Sequence, residues 1–317
     1  MNMIRDVFIE ELHKRMHADE RIFFLSADFG SPKLDKLRQE FKDRFINVGI
    51  AEQNLINIST GLALEGFIVY AYAIAPFLAM RAYEQIRVNL SLQSQLKKLN
   101  VNLIGVGAGL SYDVSGPTHH ALEDIILMRA LPNFTLFSPS DSVVAKEFVG
   151  YSIKNNGPKY LRFDGKPLPV IYNTGESISF KDGFSEVKKG KKVCLVSTGY
   201  MTHKAVNVAE SLAKKGVDIG VIDVFLIKPL NERRLLKFLS QYRHVITIEE
   251  AFINKGGLDS LLSEIIESKS LKIKLTRMGF KDAYLFNIGN REYLHSLAGL
   301  SQECIIKNIM QILKADR

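Results

Sequence analysis

A strand-to-helix junction in the N-terminal half of the chain strongly limits how it can fold. In the stretch FINVGIAEQNLINISTGLALE, residues 45–48 form a short apolar run, Gly49 permits a turn, and apolar residues then recur at helical spacing. Glu52 therefore falls in the first turn of a predicted helix. The helix dipole stabilises an anion there, so Glu52 is either a residue that favours the helix start or a catalytic carboxylate.

Strand and helix patterns alternate along the rest of the chain. Apolar runs such as IFFLS, VNLIGV and VCLVS are separated by segments with helical periodicity, one of which predicts a helix over 81–92. The alternation predicts an α/β fold with mostly parallel sheets flanked by helices. A stretch rich in Pro, Gly, Asn and Lys interrupts it, so we predict domains over 1–164 and 191–317, joined by a linker over 165–190.

Composition excludes several classes of protein. The formal net charge is +8, but the lysines are scattered in pairs without a recognisable nucleic-acid module, so we predict no nucleic-acid partner. The longest apolar run, over 66–80, is too short to span a membrane and contains Pro76. No signal peptide is visible, and Cys194 and Cys304 each lie in apolar runs typical of reduced core thiols. These features predict a cytoplasmic protein with no membrane association.

Seven motifs occur in an order that resembles one known family. They are SADFGS at 26–31, VGIAEQN at 48–54, RAYEQIR at 81–87, SGPTHHALEDI at 115–125, SPSD at 138–141, IKPL at 227–230 and EEAFINKGGL at 249–258. The chain resembles the C-terminal half of transketolase, in the form encoded as a separate subunit. The resemblance implies a thiamin-diphosphate-binding fold followed by a transketolase C-terminal domain, and transfer of a two-carbon ketol unit from a ketose to an aldose.

The resemblance also assigns residues to the cofactor. Glu52 would hydrogen-bond the aminopyrimidine ring of thiamin diphosphate and share a proton with it. Phe77 falls at the principal ring-stacking position, and the neighbouring family aromatics are replaced by Ile74 and Met80, which keep apolar area. Asp28, in SADFGS, is a further predicted cofactor contact.

The substrate residues match the family only in part. His119 corresponds to the family histidine that faces the substrate oxygens, whereas the role of His120 stays open. The predicted substrate contacts on the acceptor's phosphate are Arg5, Ser31 and Arg162.

Two family residues are missing from the predicted substrate site. The family's phosphate-facing histidine falls on Gly107, and the Asp that reads a substrate hydroxyl falls on Ser115. These changes indicate either a specialised sugar substrate or neutral drift in a loop.

One family motif is absent from the sequence. The family binds the diphosphate through Mg²⁺ held by a GDG motif, and no GDG occurs in this chain. We therefore assign no metal ligand to this chain and expect a companion N-terminal subunit to supply the Mg²⁺ and diphosphate site, in a heterotetramer with two of each subunit.

Two alternatives to a transketolase stay open at this point. The β chain of a 2-oxo-acid dehydrogenase decarboxylase has the same two-domain layout, although RAYEQIR and EEAFINKGGL favour transketolase. A non-catalytic interaction protein that keeps the fold is the other alternative. The presence of Glu52, Phe77 and His119 together argues against it.

Overall fold

The computed structural model of the chain describes residues 1–173, 175, 178–268 and 272–316. It shows two α/β domains in tandem, each with a mostly parallel sheet flanked by helices, and this confirms the predicted fold class. Residues 174, 176 and 177 of the predicted linker lie outside the described residues. So do residues 269–271 and 317 of the predicted second domain.

The first domain contains the strand-to-helix alternation that the sequence predicts. Its strands and α-helices are α1 (Ile4–Ala18), β1 (Ile22–Ser26), α2 (Pro32–Glu40), β2 (Phe45–Asn47), α3 (Glu52–Leu64), β3 (Ile68–Ile74), α4 (Tyr83–Gln85), β4 (Val101–Val106), α5 (Asp124–Ala130), β5 (Thr135–Phe137), α6 (Ser142–Lys154) and β6 (Lys159–Phe163).

The second domain follows the same pattern. Its elements are β7 (Ser185–Lys188), β8 (Val193–Ser197), α7 (Tyr200–Ala213), β9 (Gly220–Asp223), β10 (Leu226–Lys228), α8 (Glu232–Leu239), β11 (His244–Phe252), α9 (Leu258–Glu267), β12 (Lys274–Phe280), α10 (Arg291–Leu297) and α11 (Gln302–Ala315).

The order of the strands brings the candidate site residues to one edge of the first sheet. This sheet has the order β10-β5-β6-β4-β3-β1-β2, and the pairs among β1 to β6 are parallel. The loops that follow β1, β2, β3 and β4 therefore leave from the same edge, where open α/β sheets build their sites. The second sheet has the order β12-β11-β8-β9-β7.

The structure corrects the predicted domain boundary in two ways. Strand β7 lies inside the predicted linker over 165–190, yet it pairs antiparallel with β9 as an edge strand of the second sheet. Strand β10 comes from the second half of the chain but pairs antiparallel with β5 in the first sheet. One buried apolar cluster also includes residues of both domains, such as Leu103 and Val245. The two domains thus share a strand and a core.

The predicted helix over 81–92 is not a regular α-helix. Residues Phe77–Arg81 form a π-helix, α4 follows as a single turn, and Ile86–Leu92 form a second π-helix. Helical periodicity in a sequence does not distinguish the wider π turn from the α turn. Segments of π-helix occur frequently at functional sites, and this one lies directly after β3 at the site edge of the sheet.

Two further predictions from composition can be compared with the structure. Cys194 is buried as predicted, but Cys304 is exposed, which corrects its assignment to the core. The apolar face of α11 is formed by Ile305 and Ile309, and Cys304 precedes that face in the first turn of the helix. In the described part of the chain, each helix is too short or too polar to cross a lipid bilayer.

Candidate active site

Glu52 lies where the sequence predicts it, at the first residue of α3. Strand β2 ends at Asn47, Gly49 turns the backbone with a φ of 75°, and α3 begins at Glu52 itself. The side chain of Glu52 is only 4% exposed, so its carboxylate has lost most of its water. Burial of a charged group requires compensation, which here comes from the helix N-terminus and from one arginine.

That arginine is Arg81, the last residue of the first π-helix. Its Nη1 donates to Glu52 Oε2 at 2.6 Å, and its guanidinium lies over the Phe77 ring at 5.0 Å. Phe77 and Arg81 are four residues apart and lie close to the same face of the helix, which allows this cation–π contact. The second oxygen of Glu52 has no hydrogen-bond partner within the described ranges.

His119 completes the group. Its ring meets the ring of Phe77 edge-on, with the centroids 5.2 Å apart. The structure therefore brings Glu52, Phe77 and His119 into one cluster, which we call the Glu52 cluster, with Arg81 as the connecting residue. The Thr118 hydroxyl contacts His119 Nδ1 at 3.1 Å. This contact leaves Nε2 of His119 available for a substrate oxygen.

The other predicted cofactor residues lie around this cluster without joining it. Ile74 ends β3 and is half-buried, while Met80 is 42% exposed. Asp28 is exposed at the end of β1 and exchanges hydrogen bonds with Asn47, of 3.1 Å and 2.8 Å. Asp28 thus contacts the loop that leads to Glu52. None of the contacts in the described residues joins Asp28 to the carboxylate of Glu52.

The loop that carries His119 is held by the second domain. Asp113, in this loop, is 2% exposed and accepts hydrogen bonds from the backbone N–H of Arg291 at 2.7 Å and from Lys166. Burial alone would raise the pKa of Asp113, but these donors and the Val114 N–H hold that pKa below its usual value. His120 is buried, and its Nε2 faces the carbonyl oxygen of Asp113. Burial lowers the pKa of His120 and so favours its neutral ring.

A second contact from the same domain reinforces the first. Glu250 Oε2 accepts from the backbone N–H of Leu110 at 3.3 Å, and both its oxygens accept from the Arg291 guanidinium at 2.6 and 2.7 Å. A side chain at Gly109 would place a Cβ only 1.9 Å from Glu250 Oε2, so glycine is required there. The backbone of the loop that carries His119 is therefore fixed by buried charges of the C-terminal half.

The predicted phosphate contacts Arg5 and Ser31 come together through a third residue. Asp6 Oδ1 accepts from Arg5 Nε at 2.8 Å and from the Ser31 hydroxyl at 3.2 Å. Arg5 Nη1 also approaches the Tyr72 hydroxyl at 3.5 Å, while its Nη2 has no hydrogen-bond partner in the described residues. One nitrogen of Arg5 is therefore available to an anion. The Ser31 hydroxyl would have to break its hydrogen bond to Asp6 before it could donate to that anion.

Tyr112 fills the space beside Gly107, where the family has a histidine. A Cβ built at Gly107 would lie 2.4 Å from the Tyr112 ring, and a Cβ at Gly165 would lie 2.9 Å from it. Burial raises the pKa of the Tyr112 hydroxyl, which also interacts with the charges of Arg5 and Asp164. The tyrosine ring therefore lies between two glycines beside the candidate anion site.

The structure corrects the prediction for Arg162. Its side chain is 3% exposed, and its Nε donates to both oxygens of Asp124 at 3.0 and 2.8 Å. Residues two apart on a strand share a face, so Arg162 lies on the same side of β6 as Tyr160, whose hydroxyl donates to the same carboxylate. Arg162 is a buried structural residue and is not placed to bind phosphate. Ser115, by contrast, is exposed in the loop and free of side-chain hydrogen bonds among the residues described.

Sequence reasoning missed the residues that act across long separations. Arg81 begins the RAYEQIR motif, but its pairing with a residue 29 positions earlier leaves no local pattern. Glu250 and Arg291 were missed for the same reason, since they contact the His119 loop from 140 and 178 residues further along the chain. The one available indication for Tyr112 was the loss of a side chain at Gly107, which leaves volume for another residue to occupy.

Comparisons with known proteins agree with this architecture. Residues 2–169 match the family described as "Transketolase, pyrimidine binding domain", and residues 184–305 match "Transketolase, C-terminal domain". The chain is 36% identical to one of the subunits of an apulose-4-phosphate transketolase from Actinobacillus succinogenes, over 86% of each chain. It is 28% identical to 6-deoxy-6-sulfo-D-fructose transketolase subunit SqwH of Clostridium sp., over 96% of this chain and 92% of the relative. A solved structure titled "Split gene transketolase, inactive beta4 tetramer" superposes with a TM-score of 0.87 at 30% identity, covering 100% of both chains.

The two matched domains and the named relatives define a transferase subunit with a pyrimidine-binding domain and a C-terminal domain. The chain belongs to the transketolase family. It corresponds to the C-terminal subunit of a split transketolase, which confirms the resemblance found in the sequence.

Proposed function

We propose that this chain supplies the pyrimidine side of a thiamin diphosphate site to a companion subunit, and that the pair transfers a two-carbon ketol unit from a ketose to an aldose. The observation that carries the proposal is the Glu52 cluster, in which a buried carboxylate, an aromatic ring and an imidazole meet at the site edge of the first sheet. The companion provides the Mg²⁺ and diphosphate contacts, because the sequence lacks a GDG motif.

The residues present fit the pyrimidine part of the cofactor. Glu52 is buried with one carboxylate oxygen unengaged in the described structure, which leaves an acceptor for a ring N–H. Phe77 is half-buried beside it and offers an aromatic face. When bound, thiamin diphosphate supplies the electron sink for the two-carbon carbanion.

The chain's own residues have separate tasks in this proposal. Glu52 shares a proton with the pyrimidine ring through its free oxygen and orients that ring, and Phe77 keeps water from the ring face. His119 donates or accepts a proton at Nε2, since its Nδ1 already faces Thr118. Arg81 supports the charge of Glu52 from the solvent side, where 48% of its side chain is exposed.

The substrate is proposed to be a sugar with an anionic group. The names of two relatives, apulose-4-phosphate transketolase and 6-deoxy-6-sulfo-D-fructose transketolase, both specify sugars that carry an anion. In this chain Arg5, with one unpaired nitrogen in the described residues, is placed to bind such a group. Tyr112 changes the shape of the adjoining space, and Ser115 removes a carboxylate, so the sugar differs from ordinary pentose phosphates.

The reaction type is tested with the two subunits mixed. We expect transfer from a ketose to an aldose, measured by chromatography of the product sugars, and no release of CO₂ from 2-oxo acids. The second assay addresses the decarboxylase alternative, because that class of enzyme would use the same cofactor. Steady CO₂ release without ketol transfer would overturn the proposal in favour of a 2-oxo-acid decarboxylase.

Substrate selectivity gives a separate prediction. The unmodified pair should use xylulose 5-phosphate with ribose 5-phosphate poorly compared with a modified anionic sugar. Ser115→Asp restores a hydrogen-bonding carboxylate and should shift kcat/KM toward ordinary ketose phosphates by about 1.5–3 kcal/mol, or roughly tenfold to a hundredfold.

Val114→Asp provides the matched control for this substitution, because it adds the same charge at the neighbouring position of the loop, where the side chain is 65% exposed. It should not produce the shift in selectivity. If the unmodified pair already turns over xylulose 5-phosphate and ribose 5-phosphate as well as any other combination, the changes at Gly107 and Ser115 are drift.

A further inference from the structure

Three side chains outside the candidate active site converge on one point of the surface. His13 and His17 lie four residues apart on α1 and therefore share one face of that helix. Glu40 is the last residue of α2, which packs alongside. Their potential ligand atoms all lie within 4.8 Å of one another. Among the residues that the structure describes, this is the one group of three or more His, Cys, Asp or Glu side chains that are so close together. The proposed transferase chemistry uses none of the three.

Both imidazoles of the group point at one carboxylate oxygen. Nε2 of His13 lies 2.7 Å and Nε2 of His17 lies 3.0 Å from the same oxygen, Glu40 Oε2. A carboxylate oxygen only accepts, so both imidazoles must direct an N–H at a single atom. Two imidazole nitrogens and one carboxylate oxygen this close together are also donors that zinc binds.

The distances match a zinc site after a small adjustment. Zinc binds nitrogen and oxygen ligands at about 2.0–2.1 Å, which places tetrahedral ligand atoms about 3.3 Å apart. The present separations of 2.7 and 3.0 Å thus need to open by about half an ångström. His17 is 56% and Glu40 36% exposed, so these side chains are free to make that movement.

Neighbouring groups already orient the three ligands. The Phe41 ring packs against both imidazoles, with centroid distances of 5.5 Å to His13 and 4.7 Å to His17. Lys36 Nζ lies 3.8 Å from the other carboxylate oxygen, Glu40 Oε1, and leaves Oε2 to the histidines. Such contacts around a metal ligand fix its direction.

We propose that His13, His17 and Glu40 bind one zinc ion, with water as the fourth ligand on the solvent side. Each imidazole would bind through Nε2 as the neutral ring, with its proton on Nδ1. The ion would join α1 to α2. Those two helices carry Arg5 and Ser31 at their opposite ends, so the zinc would also fix the spacing of the candidate anion site.

The test uses the chelator-treated full chain and Zn²⁺ alone, followed by isothermal titration calorimetry. We expect one Zn²⁺ per chain and a rise in Tm, because an ion that binds only the folded state stabilises it. Co²⁺ as a substitute should give the visible absorption of a four-coordinate site. His17→Ala and Glu40→Gln should each weaken Zn²⁺ binding at least tenfold.

Glu10→Gln is the matched control. Glu10 is also an exposed carboxylate of this helix pair, and it forms an ion pair with Lys33, so its substitution removes the same charge without removing a ligand. Circular dichroism of the metal-free variants confirms that each remains folded. If Zn²⁺ binds only at millimolar concentration, or if His17→Ala and Glu10→Gln weaken binding equally, the proposal is overturned.

Discussion

On its own, the purified chain should transfer no ketol unit faster than an enzyme-free blank, even with saturating thiamin diphosphate and Mg²⁺. The chain carries the Glu52 cluster but lacks the GDG motif, so it can contact one side of the cofactor. Enzymes accelerate reactions by about 10⁶-fold or more, and loss of half a site removes most of that factor.

Titration with the companion subunit provides the measurement. The rate of product formation should rise with added companion and level off at one companion per chain. Light scattering of the active mixture should give the mass of two copies of each subunit, with 35.7 kDa for each copy of this chain. The companion alone serves as the control. Robust turnover by this chain without a companion would show that the whole site lies within it.

Glu52→Gln should lower turnover of the reconstituted enzyme by about 100-fold or more, the scale of general acid–base catalysis. Glutamine keeps the volume and one carbonyl oxygen, so the pyrimidine pocket retains its shape. It cannot share a proton with a ring nitrogen. Because the contact acts in the chemical step, we expect the loss mainly in kcat at saturating cofactor.

Glu65→Gln is the control for this substitution. Glu65 is the exposed C-cap of the same helix, α3, and its replacement changes the charge equally at the opposite end. Its turnover should match that of the unmodified enzyme, and both variants should keep the same circular dichroism spectrum. Near-normal turnover of Glu52→Gln at saturating cofactor would remove Glu52 from the proposed catalytic role.

Local patterns in the sequence were sufficient for the α/β class and for the position of Glu52. A short strand, a glycine and an apolar helical repeat specify a junction within a few residues, and the structure starts α3 at Glu52 itself. The edge strands were harder to predict. β7 is half-buried along its length, and β10 has three residues, so neither has the long apolar run of a central strand.

The contacts of the site could not be read in the same way. Glu52 and Arg81 are separated by helix α3, strand β3 and most of a π-helix, and their pairing depends on tertiary packing. Arg162 matched a family position in the alignment, but the direction of its side chain is set by the alternation along β6 and by Asp124. The sequence therefore predicted which residue types lie near the site. Tertiary packing determined which of their side chains are available to a ligand.

The strand exchange at β10 has a consequence for protein engineering and for recombination between relatives. A chimaera with its junction in the segment over 165–190 would exchange more than a C-terminal domain. It would also replace β10, an edge strand of the first sheet, which lies beneath the site. In addition, it would replace Arg291, whose backbone N–H and guanidinium hold the loop that carries His119. Grafting substrate preference from a relative into this chain therefore requires β10, Glu250 and Arg291 to move together with the loop they support.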